Sequence, residues 1–350
     1  MSDVRVAVVG LGMGMVRARQ VVETPGAELV AVADLREDRR EAARDRFECR
    51  VYDGCDALLA DADDIEVVFV LTESGTHARY GMQAARAGKH VISTKPIDTT
   101  VDKASAFCRV CEECGVRLMV DFQMRYTTAL QRVRAAVAQG ALGRPLLGEV
   151  RLKWWRGEDY YEGWHGTWEL DGGGSVMNQA VHFVDALCYA LGDVEEVFAY
   201  SGVAAHANCE TEDLTSGVLR FANGAQGLIS TTTTFPGTQY DLVEIHGTQG
   251  AVALDLGNLL RWEFTRPDSA LGTWNAQTGD NIGGASGPYE PPLEVPAVPA
   301  NVVADAVAVL RHGAEPVCSG RDAVRAVAVT TALYESARTR QPAAVRRAFD

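Results

Sequence analysis

The stretch that most constrains the fold opens the chain, 4-VRVAVVGLGMGMVRARQ-20. Val4–Val9 reads as a near-continuous apolar strand, the pattern of a strand covered on both faces. Gly10 suits a tight turn, and Gly12 lets the backbone approach a pyrophosphate closely. The helix expected over Met13–Val22 aims its first N–H groups at the same point. The spacing departs from G-x-G-x-x-G. Met15 stands at the third position and Gly14 one residue early, so close strand–helix contact is expected to rest on Gly14. The second strand, Leu29–Ala33, ends at Asp34, where a carboxylate suits the adenosine ribose hydroxyls of a dinucleotide. A carboxylate there repels a 2′-phosphate, so NAD is expected over NADP. Arg36, Arg39 and Arg40 follow closely and soften that preference.

The alternation continues. Helix Asp38–Phe47, strand Val67–Leu71, helix Thr76–Ala87, strand His90–Ser93, helix Val101–Cys114 and strand Arg117–Val120 complete an expected parallel, doubly wound sheet over residues 1–122. Beyond it, helix Thr127–Gln139 precedes longer, more polar strands: Leu147–Trp154, Glu196–Val203, Leu214–Phe221, Ala225–Thr234, Asp241–His246, Ala251–Leu256 and Leu259–Phe264. A single helix, Ser175–Leu191, interrupts them. This predicts a second, α+β domain over 123–350 with a large open, mostly antiparallel sheet. The Gly/Pro-rich stretch 279–292 reads as a loop, and helices near Val302–Arg311 and Asp322–Arg338 close the chain.

The net charge of −14 argues against nucleic acid and anionic membrane as partners. No secretory signal or membrane-spanning run is visible, and the eight cysteines do not form a disulfide framework, so a cytoplasmic protein is expected. Cys108, Cys111 and Cys114 lie in a helical pattern without a fourth ligand and read as helix residues.

Candidate chemistry gathers in two places. Strand His90–Ser93 delivers Thr94, Lys95 and Pro96 to the edge of the parallel sheet where ligands of such folds bind. On helix Ser175–Leu191, Asn178, His182 and Asp185 fall at i, i+4 and i+7, a polar stripe on an apolar helix. Histidine titrates near working pH, and a desolvated lysine is able to. His182 is therefore the expected base, with Lys95 stabilising the reacting oxygen. Asn178 is expected to orient substrate or His182, and Asp185 either fixes the imidazole tautomer or caps local structure. No second histidine stands at helical ligand spacing, so no metal is expected. Trp154, Trp155, Trp164, Trp168, Tyr160 and Tyr161 crowd one segment with Arg156. They either face a sugar ring or pack beneath the sheet. Arg125 sits at the crossover between domains, and His77 begins the helix after Thr72.

The glycine turn, 72-TESGTHARYGMQAARAGKHVISTKP-96, 121-DFQMRY-126 and 172-GGGSVMNQAVHFVDAL-187 together resemble the Gfo/Idh/MocA family of NAD(P)-dependent oxidoreductases. The resemblance spans nearly the whole chain. The run 154-WWRGEDYYEGWHGTWELDGGGSVMNQAVH-182 is similar to the branch acting on sugars and nucleotide sugars, UDP-N-acetylglucosaminuronate 3-dehydrogenases among them. It implies hydride transfer at a pyranose hydroxyl, often C3. It implies a cofactor site at Gly10, Gly12, Met13, Gly14, Asp34, Leu35, Thr72, Glu73, His77, Thr94, Lys95 and Gln123. Substrate contacts are expected from Arg125, Trp155, Arg156, Tyr161, Trp164, Trp168, Asn178 and Asp185. Thr94 stands where the family has glutamate before the Lys-Pro pair, Glu73 where it usually has proline, and Asn178 where many members have an acid. NAD-assisted cleavage of a glycoside, or a non-catalytic NAD- or sugar-binding regulator, stay open as alternatives. A homodimer or homotetramer through the second sheet is expected, because open antiparallel sheets leave a face to cover.

Overall fold

The computed structural model describes residues 2–61, 63–265, 273–275, 280–282 and 289–349. The first sheet has six parallel strands: β1 (Val4–Val9), β2 (Ala27–Ala33), β3 (Arg50–Tyr52), β4 (Val67–Val70), β5 (His90–Thr94) and β6 (Leu118–Asp121). Their order is β3-β2-β1-β4-β5-β6. That order reverses between β2 and β4 about β1 and opens a crevice at the strands' C-terminal ends. The strands are apolar because helices cover both faces: Val6, Ala7 and Val8 on β1 and all of β4 are fully buried. The covering helices are α1 (Gly14–Glu23), α2 (Glu37–Arg44), α3 (Cys55–Ala60), α4 (His77–Arg86) and α5 (Val101–Glu113). Cys108 and Cys111 of α5 face the core and Cys114 is exposed.

A 3₁₀ turn, Gln123–Tyr126, leads into α6 (Thr128–Ala138) and then into the second sheet. Its strands are β7 (Pro145–Lys153), β8 (Val194–Gly202), β9 (Leu214–Phe221), β10 (Gln226–Thr232), β11 (Tyr240–Gly247), β12 (Gly250–Leu254) and β13 (Leu259–Phe264). Two three-residue strands, β14 (Thr273–Asn275) and β15 (Asp280–Ile282), form a separate ribbon. The chain ends near β16 (Ala343–Ala344), which pairs with β8. The eight-strand order is β13-β12-β11-β7-β10-β9-β8-β16. All pairings are antiparallel except β7 with β10, which run parallel. Alternation sets one face inward: Thr215, Leu219 and Phe221 of β9 are buried while Leu214, Val218 and Arg220 face out. The Gly/Pro-rich stretch expected as a loop over 279–292 lies mostly outside the described residues.

The segment expected as one helix over Ser175–Leu191 is two. Ser175–Ala180 winds as a π-helix, and α7 (Val181–Leu191) continues as an ordinary α-helix. The wider π turn rotates everything after Ala180 relative to Asn178, so Asn178 leaves the expected stripe while His182 and Asp185 keep their i, i+3 spacing within α7. α8 (Val302–His312) and α9 (Gly320–Thr339) return to the first half of the molecule. Val302, Val303, Ala306 and Val309 of α8 pack in one cluster with Val4, Val6, Val8 and Leu29. Among the described residues, no helix is long and apolar enough to cross a membrane.

Candidate active site

The turn after β1 makes an anion cradle. Gly10 has φ +91°, and a Cβ there would lie 2.6 Å from the Leu71 carbonyl oxygen, so no other residue fits. No side chain caps the N-terminus of α1 and no acid stands in its first turn, leaving its N–H groups for a phosphate. Asp34 ends β2 nearly buried. It accepts the Leu11 N–H at 2.6 Å on one oxygen and the Arg36 N–H at 2.8 Å on the other, and Arg39 lies 3.3 Å away. These bonds fix the carboxylate's orientation and leave it lone pairs for ribose hydroxyls. Met13 and Leu35 are strongly exposed on either side. These residues fit the dinucleotide that the sequence implies. Asp34→Ala is expected to weaken NADH binding about tenfold, the worth of a hydrogen bond to a charged group, in a fluorescence titration.

Next along the edge, Thr72 and Glu73 follow β4 half-buried, with the Thr76 hydroxyl donating to the Thr72 hydroxyl at 2.8 Å. His77 does not face this crevice freely. It is 1 % exposed, and its ring nitrogens meet the Pro96 carbonyl at 2.7 Å and the Thr72 carbonyl at 2.9 Å. With both nitrogens occupied it fastens the β4 loop to the β5 loop and has none left for a cofactor ribose. Gln123 is exposed where the chain leaves β6, and Thr94 is half-buried at the end of β5.

Lys95 follows Thr94, and its peptide bond to Pro96 is cis. Its ammonium donates to the Asn178 carbonyl oxygen at 2.7 Å, joining the end of β5 to the π turn. Burial pushes its pKa down from 10.5 to about 8. The Asp171 and Asp121 carboxylates pull it back up and Arg156 opposes them. Asp121 itself, at the end of β6, is paired with Arg17 of α1 at 2.6 Å.

His182 stands one turn beyond, edge-on to Phe122 with ring centroids 6.0 Å apart. Its Nδ1 is buried without a partner. Burial, with the Lys95 and Arg17 cations, pushes its pKa well below the histidine value. Neither Asn178 nor Asp185 orients it. Asp185 is 1 % exposed and forms a bidentate ion pair with Arg125, at 2.8 Å to Nε and 2.7 Å to Nη2. Arg125 and Asp185, both expected at the substrate, are thus held by each other in the core.

The Asn178 amide instead donates to Asp171 Oδ1 and lies 3.3 Å from His165 Nδ1. His165 was not singled out from the sequence, because it belongs to no helical spacing. It is stacked on Tyr160 at 4.1 Å and against Trp164 at 3.8 Å, with Asp171 Oδ2 3.6 Å from its ring. Asp171, also unremarked, is 1 % exposed and takes the Gly166 N–H at 2.8 Å. The visible signal was a histidine six residues before an acid within the aromatic run.

The aromatic segment divides. Trp155 and Trp168 are about half exposed and Trp164 is half-buried beside His165. The Arg156 guanidinium stands 5.0 Å from the Trp154 ring and 5.3 Å from that of Tyr160. Tyr161 belongs to the packing: it is 4 % exposed and its hydroxyl is bonded to Thr233 at 2.7 Å. Trp154 donates its indole N–H to Asp241 at 3.2 Å beneath the same wall.

A glycine turn at the end of β1, a nearly buried carboxylate after β2 and a half-buried lysine after β5 agree with the known proteins this chain matches. Residues 4–122 match the family described as "Oxidoreductase family, NAD-binding Rossmann fold", and residues 130–253 match the "GFO/IDH/MocA C-terminal domain". The chain is 30% identical over 322 residues to D-apiose dehydrogenase of Paraburkholderia graminis, covering 89% of this chain and 82% of that protein. It is 29% identical over 348 residues to inositol 2-dehydrogenase of Rhizobium meliloti, covering 95% and 96%. The crystal structure of the WlbA dehydrogenase from Bordetella pertussis, in complex with NADH and UDP-GlcNAcA, superposes with a TM-score of 0.85 at 29% identity, covering 98% of this chain and 99% of that one. With both halves matched and the cofactor cradle in place, the chain belongs to the Gfo/Idh/MocA family of NAD-binding oxidoreductases.

Proposed function

We propose that this chain transfers hydride between NAD and a secondary alcohol or ketone of a pyranose, free or carried on a nucleotide, with C3 the favoured position. The observation that carries the reading is Lys95: its ammonium stands at the ligand-binding edge of the parallel sheet, bonded to the carbonyl of Asn178, whose side chain reaches His165 and its stack on Tyr160 and Trp164. Residues 1–122 hold the cofactor in this reading and 123–350 present the sugar. Sugar or inositol oxidoreduction in the named relatives, and the nucleotide sugar beside NADH in the WlbA structure, support it.

NAD, when bound, supplies the hydride acceptor. Lys95 holds the reacting oxygen. As a neutral amine it takes the hydroxyl proton during oxidation, and as an ammonium it returns that proton during reduction. The sequence assigned the base role to His182. This reading gives the proton to Lys95, bonded to the Asn178 carbonyl, and keeps His182 as a neutral imidazole that accepts a hydrogen bond from a substrate hydroxyl. Trp155, Trp164 and Trp168 offer flat faces to the C–H side of a sugar ring, and Arg156 meets a carboxylate or phosphate. NADPH is disfavoured by Asp34. A dimer through the outer face of the second sheet belongs to the same reading, supported by exposed Tyr200, Val218 and Leu228 on adjacent strands.

The test is incubation with NAD and a panel of free, phosphorylated and nucleotide sugars, following absorbance of NADH and locating the new ketone by NMR. NADH formed in step with a keto sugar is the expected result. Bond cleavage without net NADH would replace this reading with NAD-assisted elimination, and no turnover on any sugar would leave a binding protein.

A further inference from the structure

Glu212, just before β9, is a buried carboxylate that the chemistry above does not use. It is 1 % exposed and makes no ion pair with Lys or Arg among the described residues. What faces it is the start of the π turn. Oε2 accepts the Gly174 N–H at 2.6 Å, and Oε1 accepts the Val176 N–H at 2.8 Å and the Ser175 hydroxyl at 3.3 Å. Its carbonyl oxygen accepts the Ser175 N–H at 3.1 Å. The Tyr334 hydroxyl of α9 stands beside the carboxylate and accepts the Met177 N–H at 3.3 Å. Residues 174–177 are thus all held from one point. Position 174 has no room for a side chain, since a Cβ would lie 1.8 Å from the Glu212 carbonyl oxygen. The next residue is Asn178, whose carbonyl receives the Lys95 ammonium.

We propose that Glu212 is a positioning residue of the reaction: as an anion it holds the turn 174–177 so that the Asn178 carbonyl stays under the Lys95 ammonium. The inference rests on the reading of Lys95 as the proton-handling group. An anion is suited to this place because every group pointing at the carboxylate is a donor. A neutral carboxylic acid or an amide would turn a donor of its own toward the Gly174 or Val176 N–H. The other titratable groups around it are Tyr334 on α9, Asp171 before the π turn, Tyr161 on the aromatic segment, and Cys209 and Asp213 on its own segment. None of these is a cation. Burial accordingly pushes the Glu212 pKa up to about 7, against the pull of its backbone donors.

The test reads Lys95 without any substrate, so it is separable from the sugar panel. Trace acetic anhydride labels free amines, and mass spectrometry follows Lys95 between about pH 6 and pH 9.5, with half-buried Lys89, remote from Glu212 and bonded to the Asp63 carbonyl, as internal reference. Loss of the Asn178 carbonyl destabilises the ammonium. Glu212→Gln is therefore expected to raise Lys95 labelling at pH 7 about threefold relative to Lys89, with NADH affinity unchanged. Labelling of Lys95 identical to that of the natural protein at every pH overturns the proposal. Should Glu212→Gln not fold, the natural protein decides: its Lys95 profile should show a second inflection near pH 7 as Glu212 protonates, and a single-midpoint curve overturns the proposal.

Discussion

Lys95→Met is expected to lower hydride transfer to a sugar by about a thousandfold or more, while leaving the chain at least as stable as before. The loss combines the proton carrier and the electrostatic support of the reacting oxygen, each worth roughly 10²–10³ in rate. Stability moves the other way. The fall in the lysine pKa from 10.5 to about 8 means that holding the ammonium in this enclosed place costs the fold up to about 3 kcal/mol below pH 8. The sign follows from proton counts. Between pH 8 and 10.5 the unfolded chain binds the proton and the folded chain does not, so stability climbs with pH through that window. Methionine removes the charge and keeps the apolar stem, so thermal melting at pH 7 should rise by the equivalent of about 1–3 kcal/mol and lose its alkaline climb. In the natural protein, sugar oxidation should rise with pH through about 8 as the amine loses its proton. A Lys95→Met protein that turns over near the natural rate, or an oxidation rate flat from pH 7 to 9, would remove Lys95 from the centre of the reaction.

The parallel sheet was legible because burial on both faces writes itself as runs such as Val67–Val70, and the glycine turn marks which edge binds ligands. What stayed hidden has physical causes. β3 is three half-buried residues at the sheet edge, too short and too polar to show a period. α8 reads as an ordinary amphipathic helix, and nothing local says that it returns to β1. Lys95 and Asn178, singled out as a strand end and a polar residue on an apolar helix, do meet in the structure through the Asn178 carbonyl. His165 was missed because its partners Tyr160, Asp171 and Asn178 come from irregular backbone, where spacing carries no geometry. The π turn hid the rest. Its wider turn leaves composition unchanged but takes Asn178 off the stripe, while Asp185, three residues past His182 in α7, gives its carboxylate to Arg125.

The buried pair of Arg125 and Asp185 carries the largest expected effect on stability. Asp185→Ala should destabilise the protein by about 3–5 kcal/mol, because it strands the Arg125 guanidinium in the core. Burial works against that charge, but the attraction of Asp185 outweighs it and holds the arginine pKa well above its usual value. The guanidinium also donates to the Val317 carbonyl at 3.2 Å and lies 4.4 Å over the Tyr189 ring, and at 2 % exposure it has little solvent to compensate the loss of Asp185. Arg125 joins the turn after β6 to α7 and to the segment before α9, so the loss would loosen the joint between the two sheets. The single variant should melt roughly 5 °C or more below the natural protein. The double variant Arg125→Met with Asp185→Leu should recover most of that, since replacing both charges with apolar groups leaves nothing unpaired. Kinetics separate this from a substrate role. If Arg125 and Asp185 only brace the fold, the double variant keeps the natural KM for the sugar at a temperature where it is folded. A tenfold or greater rise in KM there, with NADH affinity unchanged, would return the pair to the substrate site.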